Sequence, residues 1–187
     1  MKLTRLVAAV ATVTLLSGAA TAVAQDAPPP PPETPEANPA DVESLDAIIA
    51  ALYDVISGPA GQARDWDRMR SLFTPNARLI PIGGRRDVET KQARFLTVED
   101  YVTRAGPFLE QNGFFESEIG RVAERYEHLA HVFSAYDSRH TAEDVEPFAR
   151  GINSIQLMWD GERWWIANIM WWGGEGFEVP EEYLGKR

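Results

Sequence analysis

The sequence predicts an α+β domain, with an antiparallel sheet packed against about three helices that precede it. Three observations carry this. Apolar residues recur at helical spacing across 45–56 and again after Asp65. After Gly113 the pattern becomes strand-like and rich in aromatic and β-branched residues. Asp160-Gly161, set between Trp159 and Glu162, is the favoured centre of a two-residue hairpin turn.

Ahead of the domain, Lys2 and Arg5 precede an apolar run from Leu6 to Leu16, and Ala22-Val23-Ala24 supplies a small-x-small cleavage site. Residues 1–24 therefore read as a signal peptide, which places the mature protein in the periplasm or outside the cell. The run is shorter than the ~20 apolar residues of a membrane span, and no later segment is longer, so membrane insertion is not expected. Residues 25–40 hold Pro28 to Pro32 without a break, with Pro35 and Pro39 beyond, and read as an extended linker. The folded domain is expected over 41–187.

The chain has no cysteine. That excludes disulfides, thiolate metal sites, a cysteine nucleophile and a lipid anchor at the cleavage point. The formal charge of −10 falls to −12 when Lys2 and Arg5 leave with the leader, and so acidic a domain offers phosphates no basic surface. Nucleic acid is not expected as a partner. No phosphate loop or nucleophile elbow is present, and no cofactor is implied.

Each element has a local reason. Asp41 reads as a cap for a helix whose stripe is Leu45, Ile48, Ile49, Leu52, Val55 and Ile56, stopped by Gly58-Pro59. Tyr53 rides the edge of that stripe, where a buried ring leaves a hydroxyl seeking a partner. Asp65 caps a short helix carrying Trp66, Met69 and Leu72, and Ala77 to Ile82 reads as a strand closed by Gly83-Gly84. Thr97 and Asp100 form a capping box for a third helix reaching about Ala105, with Tyr101 on its apolar face. Strands are expected at 114–123, 126–139, 149–159 and 163–172. A turn centred on Asp160-Gly161 sets Leu157 opposite Trp164 and Asn153 opposite Asn168, with Met170 on that same, core-facing side. It leaves Ile152, Trp165, Ile169 and Trp171 on the other face.

Several stretches together resemble the NTF2-like superfamily, in particular the SnoaL-like proteins. They are Asp65-Trp66-x-x-Met69-x-x-Leu72-Phe73-x-Pro75, Ala130-His131-Val132, Arg150-Gly151-x-Asn153-Ser154-x-Gln156-Leu157 and Asp160-Gly161-x-x-Trp164-Trp165-Ile166. The resemblance spans Asp41 to about Trp172. It implies a curved sheet wrapped on helices into a cone with a cavity at its wide end, and often a homodimer through the outer sheet face. Members include isomerases, dehydratases, cyclases and ligand binders, so fold does not choose function.

The expected function is to bind a small, partly apolar ligand without catalysis. The alternatives are a cofactor-independent isomerase or dehydratase and an envelope assembly module. The expected ligand-binding set is Tyr53, Trp66, Tyr101, Arg150, Asn153, Asn168 and Met170. His131 sits between Ala130 and Val132, where a buried imidazole is either structural or a general base, with Tyr136 polarising an oxygen. Alternation sends His128 and His131 to opposite faces of one strand, so no metal site is expected. Five of the six tryptophans fall between Trp159 and Trp172. With aromatics and polar groups mixed, the face holding Ile152, Trp165, Ile169 and Trp171 is the expected dimer surface.

Overall fold

A computed structural model describes residues 34–83 and 90–185. The chain divides into two units, Met1–Pro30 and Pro31–Arg187; residues 1–33, with the expected signal peptide and part of the linker, lie outside the described residues, as does Gly84.

The first helical turn begins earlier than Asp41. Asn38 accepts from the Ala40 amide at 3.1 Å and Pro39 sits at the first helical position, giving α1 (Pro39–Val42) inside the expected linker. Asp41 is thereby buried within the turn, where Arg68 donates to both of its carboxylate oxygens at 2.7 and 3.0 Å. Ser44 caps α2 (Leu45–Ile56), which buries Ile48, Ile49, Leu52, Val55 and Ile56 as its apolar spacing requires. Its end is tied by buried Arg64, which donates to the carbonyls of Ile56, Gly58, Gln62 and Leu109 at 3.1, 2.6, 2.6 and 3.2 Å. Those carbonyls have no helical partner of their own, so one guanidinium satisfies what the chain reversal leaves open.

Asp65 caps α3 (Trp66–Ser71) as expected, and β1 (Phe73–Gly83) follows, with β2 (Gln92–Ala93) paired antiparallel to its end. The Thr97–Asp100 capping box forms in both directions and opens α4 (Val98–Asn112). This helix passes through Pro107 instead of ending near Ala105. Val102 and Leu109, buried on either side of the ring, hold it in register at the cost of one backbone bond.

The remaining strands are β3 (Phe115–Tyr126), β4 (Leu129–Arg139), β5 (Ala149–Trp159) and β6 (Trp164–Gly174). The sheet order is β2-β1-β6-β5-β4-β3, antiparallel except where β1 runs parallel to β6. The strand expected at Ala77 to Ile82 is present as the core of β1 between α3 and α4, and the rest of the main sheet follows the last long helix. Register shifts interrupt β1–β6, β3–β4 and β5–β6, and such bulges bend and twist a sheet. The concave face is packed on α2, α3 and α4, burying Met69, Phe73, Val132, Ile155, Leu157, Trp164 and Ile166.

The final hairpin differs from the expected register. Trp159 pairs with Trp164, because Asp160 accepts from the amides of Glu162 and Arg163, both at 2.8 Å, and closes a longer loop at 160–163. A bulge at Ala167 then reverses parity: Ile155 pairs with Ile169 and Asn153 with Trp171. Ile169 and Trp171 consequently turn into the concave face, while Asn168 and Met170 turn out.

The C-terminal segment lies over the convex side of β3 and β4. Its 3-10 turn Glu181–Tyr183 brings the Tyr183 ring to 5.6 Å from Phe133, and the Arg121 amide donates to the Gly185 carbonyl at 2.8 Å. Gly120 makes this approach possible, since a Cβ there would collide with the Tyr183 carbonyl. Among the described residues no helix is long and apolar enough to cross a membrane.

Candidate functional site

Between the helices and the concave face is a cavity of about 260 Å³. Its walls are mainly apolar, from Leu52, Ile56, Met69, Leu79, Ile169 and Trp171, and its polar groups are Glu116, Tyr101, Tyr136, Ser138 and Asn153. A few convergent polar groups in an apolar hollow is the usual composition of a small-molecule site.

Glu116 is placed by its backbone. The Phe114 amide donates to the Gly58 carbonyl at 3.0 Å and the Glu116 amide to Ser57 Oγ at 3.0 Å, pinning the start of β3 to the C-terminus of α2. Strand alternation then aims Glu116 and Glu118 at the concave face, opposite Ser138 and Tyr136 of β4. Ser138 Oγ donates to Glu116 Oε2 at 3.0 Å. Desolvation pushes the Glu116 carboxyl up to about 7, against the opposing hydrogen bonds of Ser138 and Asn153. A second hollow of about 680 Å³ lies between α2 and β3, and Glu116 lines this groove as well as the cavity.

Two phenols complete the polar set. Tyr101 projects from α4 with its ring edge-on to Trp171, centroids 6.3 Å apart. Tyr136 lies across β5 and β6, where paired Gly151 and Gly173 leave room for its hydroxyl; a Cβ on either glycine would meet that oxygen. Burial, and then the Glu116 charge, push both phenols well above the ordinary tyrosine range, so both stay protonated donors. Among the described residues neither hydroxyl has a hydrogen-bond partner, and none of their polar atoms is sealed from the cavity.

Of the expected site residues, Tyr101, Tyr136 and Asn153 face the cavity. Tyr53 lies beneath it, its hydroxyl 2.7 Å from Ser134 Oγ and accepting from Asn153 Nδ2 at 3.0 Å. His131 is on the convex face, with Nε2 2.9 Å from the Oγ of Ser154, the register partner of Phe133, and its ring against Phe133 at 4.5 Å. Odd-numbered β4 residues point outward, so this imidazole cannot act in the cavity. Trp66 packs on Gly106 and donates to Glu110 at 3.0 Å, joining α3 to α4. Arg150 donates to Asp137 on the outer face at 2.8 Å. Asn168 donates to Gln156 at 2.7 Å on the same face instead of pairing with Asn153, and Met170 stands outside with it, because of the bulge at Ala167.

Sequence reasoning missed Glu116. In Phe115-Glu116-Ser117-Glu118-Ile119 the apolar residues alternate with the carboxylates, which reads as a solvated outer face. The available signal was cross-strand: Glu116 faces Ser138 and Glu118 faces Tyr136 once the 126–129 turn sets the register. Among the described residues no cluster of His, Asp and Glu has the geometry of a metal site.

No protein-family model matches the chain, and no curated protein matches it in sequence. Among solved structures it is similar to an NTF2-like protein of unknown function from Silicibacter pomeroyi, 10% identical, over 70% of this chain and 92% of that one, with a TM-score of 0.49. A protein from Kribbella flavida is 12% identical over 71% and 88% of the two chains, TM-score 0.49. One from Parabacteroides distasonis, provisionally named a ketosteroid isomerase, is 14% identical over 69% and 87%, TM-score 0.43. The chain's own strand order, its parallel β1–β6 pair and the cavity between helices and concave sheet make it an α+β domain with a mainly antiparallel, six-stranded sheet.

Proposed function

We propose that the cone binds a small, mainly apolar molecule bearing a carbonyl or hydroxyl oxygen, and that Glu116 transfers a proton to or from it without a cofactor. The observation that supports this is the convergence of one desolvated carboxyl and two unengaged phenols on a single apolar hollow. A carboxyl with a pKa near the working pH exchanges a proton in either direction. Tyr101 and Tyr136 would hold the oxygen and stabilise charge developing on it. The groove on the far side of Glu116 gives its proton a route to solvent that does not pass through the ligand.

The cavity is smaller than the ~300 Å³ at which typical ligand pockets begin, which favours single-ring substrates. A direct test is deuterium incorporation next to the carbonyl of 2-cyclohexen-1-one and other small cyclic ketones, followed by proton NMR. Acceleration by the chain, lost by about 100-fold or more in Glu116→Gln, is expected. If the ketones raise the melting temperature but never exchange, the cone is a binding protein and the proton-transfer reading falls.

Two further expectations belong to this reading. The signal-peptide pattern at 1–24 supports action outside the cytoplasm. The outer face carries Ile152, Trp165, Met170 and Trp172 among polar Arg150, Ser154 and Gln156, which supports a homodimer through that face.

A further inference from the structure

A chain of hydrogen bonds leads away from the cavity into the core. Arg121 donates to Glu118 through Nε and Nη2, at 2.9 and 2.6 Å, and to Asp46 at 2.7 Å. Ser134 Oγ donates to Glu118 Oε1 at 2.6 Å. Tyr53 and Ser134 are 2.7 Å apart, and Asn153 Nδ2 is 3.0 Å from the Tyr53 hydroxyl. Ser134, fully buried, and Tyr53 line no part of the cavity.

The direction of this chain is fixed by valence. A carboxylate clamped by a guanidinium only accepts. The single Ser134 proton is therefore committed to Glu118, the Tyr53 proton to Ser134, and the Tyr53 oxygen is left to accept from an amide NH2. We infer that Ser134 and Tyr53 are positioning residues: together they let the Arg121–Glu118 pair hold the Asn153 side chain with its NH2, and not its carbonyl, turned toward Glu116. The inference rests on the proposed role of Glu116 and adds what sets its proton affinity. An amide NH2 facing the carboxylate favours its charged form, while an amide oxygen in the same place favours the acid. The Asn153 contribution to Glu116 is of the first kind.

Other titratable groups face Glu116 too: Tyr53 from α2, Tyr101 from α4, Tyr136 from β4 and Glu118 from its own strand. Asp46, Asp54, Arg121 and Arg139 line the groove beyond it. Of these, Tyr53 alone hydrogen-bonds the Asn153 amide, with Glu118 and Arg121 acting on it through Ser134. Removing the Ser134 hydroxyl takes away the acceptor of the Tyr53 proton, and a turn of that proton to the neighbouring Asn153 side chain would flip the amide.

The test is a carbon-13 titration of the glutamate carboxyls in the full chain, with the Glu116 signal identified by its loss in Glu116→Gln. Ser134→Ala is expected to raise the Glu116 midpoint by about one pH unit, the equivalent of one hydrogen bond to a charged group. Tyr53→Phe should raise it as well, and Ser134→Thr, which keeps the hydroxyl, should restore it. A folded Ser134→Ala with an unchanged midpoint overturns the inference; if that variant does not fold, the Tyr53→Phe titration decides in the same way. The midpoint is read without any substrate. A cavity that proves non-catalytic therefore leaves this inference standing, and an unmoved midpoint leaves the proposed function untouched.

Discussion

The hydroxyl of Tyr136 occupies the place that a side chain on Gly151 would take. The two residues are register partners on β4 and β5, and the missing Cβ lets the phenol lie along the sheet and leaves the cavity open. Gly151→Ala should push the ring into the hollow. A loss of about 1 to 3 kcal/mol is expected in urea unfolding, as for overpacking elsewhere, together with weaker binding of any ligand that stabilises the parent chain. An alanine variant of unchanged stability and binding would refute the role given to Gly151.

Glu116 gives the fold a defined pH dependence. Its folded pKa of about 7 lies above the unfolded carboxyl value of 4.5, so between these limits the folded state holds more protons than the unfolded one. Stability from this group is then complete below about pH 4.5 and is lost as pH rises through 7, on the order of 3 kcal/mol in all. Glu116→Gln cannot ionise. The measurement is the stability difference between variant and parent at pH 5 and pH 8, and it should move in favour of the variant at the higher pH.

Arg64 is a cation employed to satisfy carbonyls. Arg64→Met keeps much of the volume but leaves the carbonyls of Ile56 and Leu109 without their guanidinium donor, while Gly58 keeps the Phe114 amide. A loss of about 3 kcal/mol or more is expected, since each unsatisfied buried acceptor costs roughly 1 to 3 kcal/mol. Thermal and urea unfolding would reveal it. Arg64→Lys should recover only part of the loss, because one ammonium cannot span the same fork.

The outer face can be tested by sedimentation. If the proposed dimer forms there, Ile152→Glu should yield a folded monomer with unchanged circular dichroism. A parent chain that sediments as a monomer at micromolar concentration removes the interface. Separately, Gly120→Ala should lift the C-terminal segment off β3, seen as faster proteolytic removal of residues around Tyr183 with the sheet intact.

Local chemistry made much of this fold readable. The Asp65 cap, the Thr97–Asp100 box, the apolar stripe of α2 and the bounds of β5 follow from spacing and capping alone, because each depends on residues within a few positions. What failed was parity. One extra residue at Ala167 sends Trp171 inward and Asn168 outward, and alternation carries no mark of a bulge. The start of the first helix moved to Asn38 because Asp41 is worth more as a partner of Arg68 than as a cap. The cavity carboxyl was invisible for a deeper reason: a glutamate in a strand is ordinarily solvated, and only the contact between β3 and β4 turns Glu116 inward. Tyr53, by contrast, announced its need of a partner, though not that the partners would be Ser134 and Asn153.

The parallel pairing of β1 with β6 has a kinetic meaning. Ile80 and Met170 are neighbours in the sheet although 90 positions of chain separate them (170 − 80). Until β6 is available, β1 has only β2 and the bridge to Leu96 to pair with, and stays apart from the β3–β5 part of the sheet. Loop closure of that length must come before the core can form, so folding should be slow and should await the last strand. Were the chain exported as proposed, N-terminus first, such a delay would keep the polypeptide threadable until its own tail had come through.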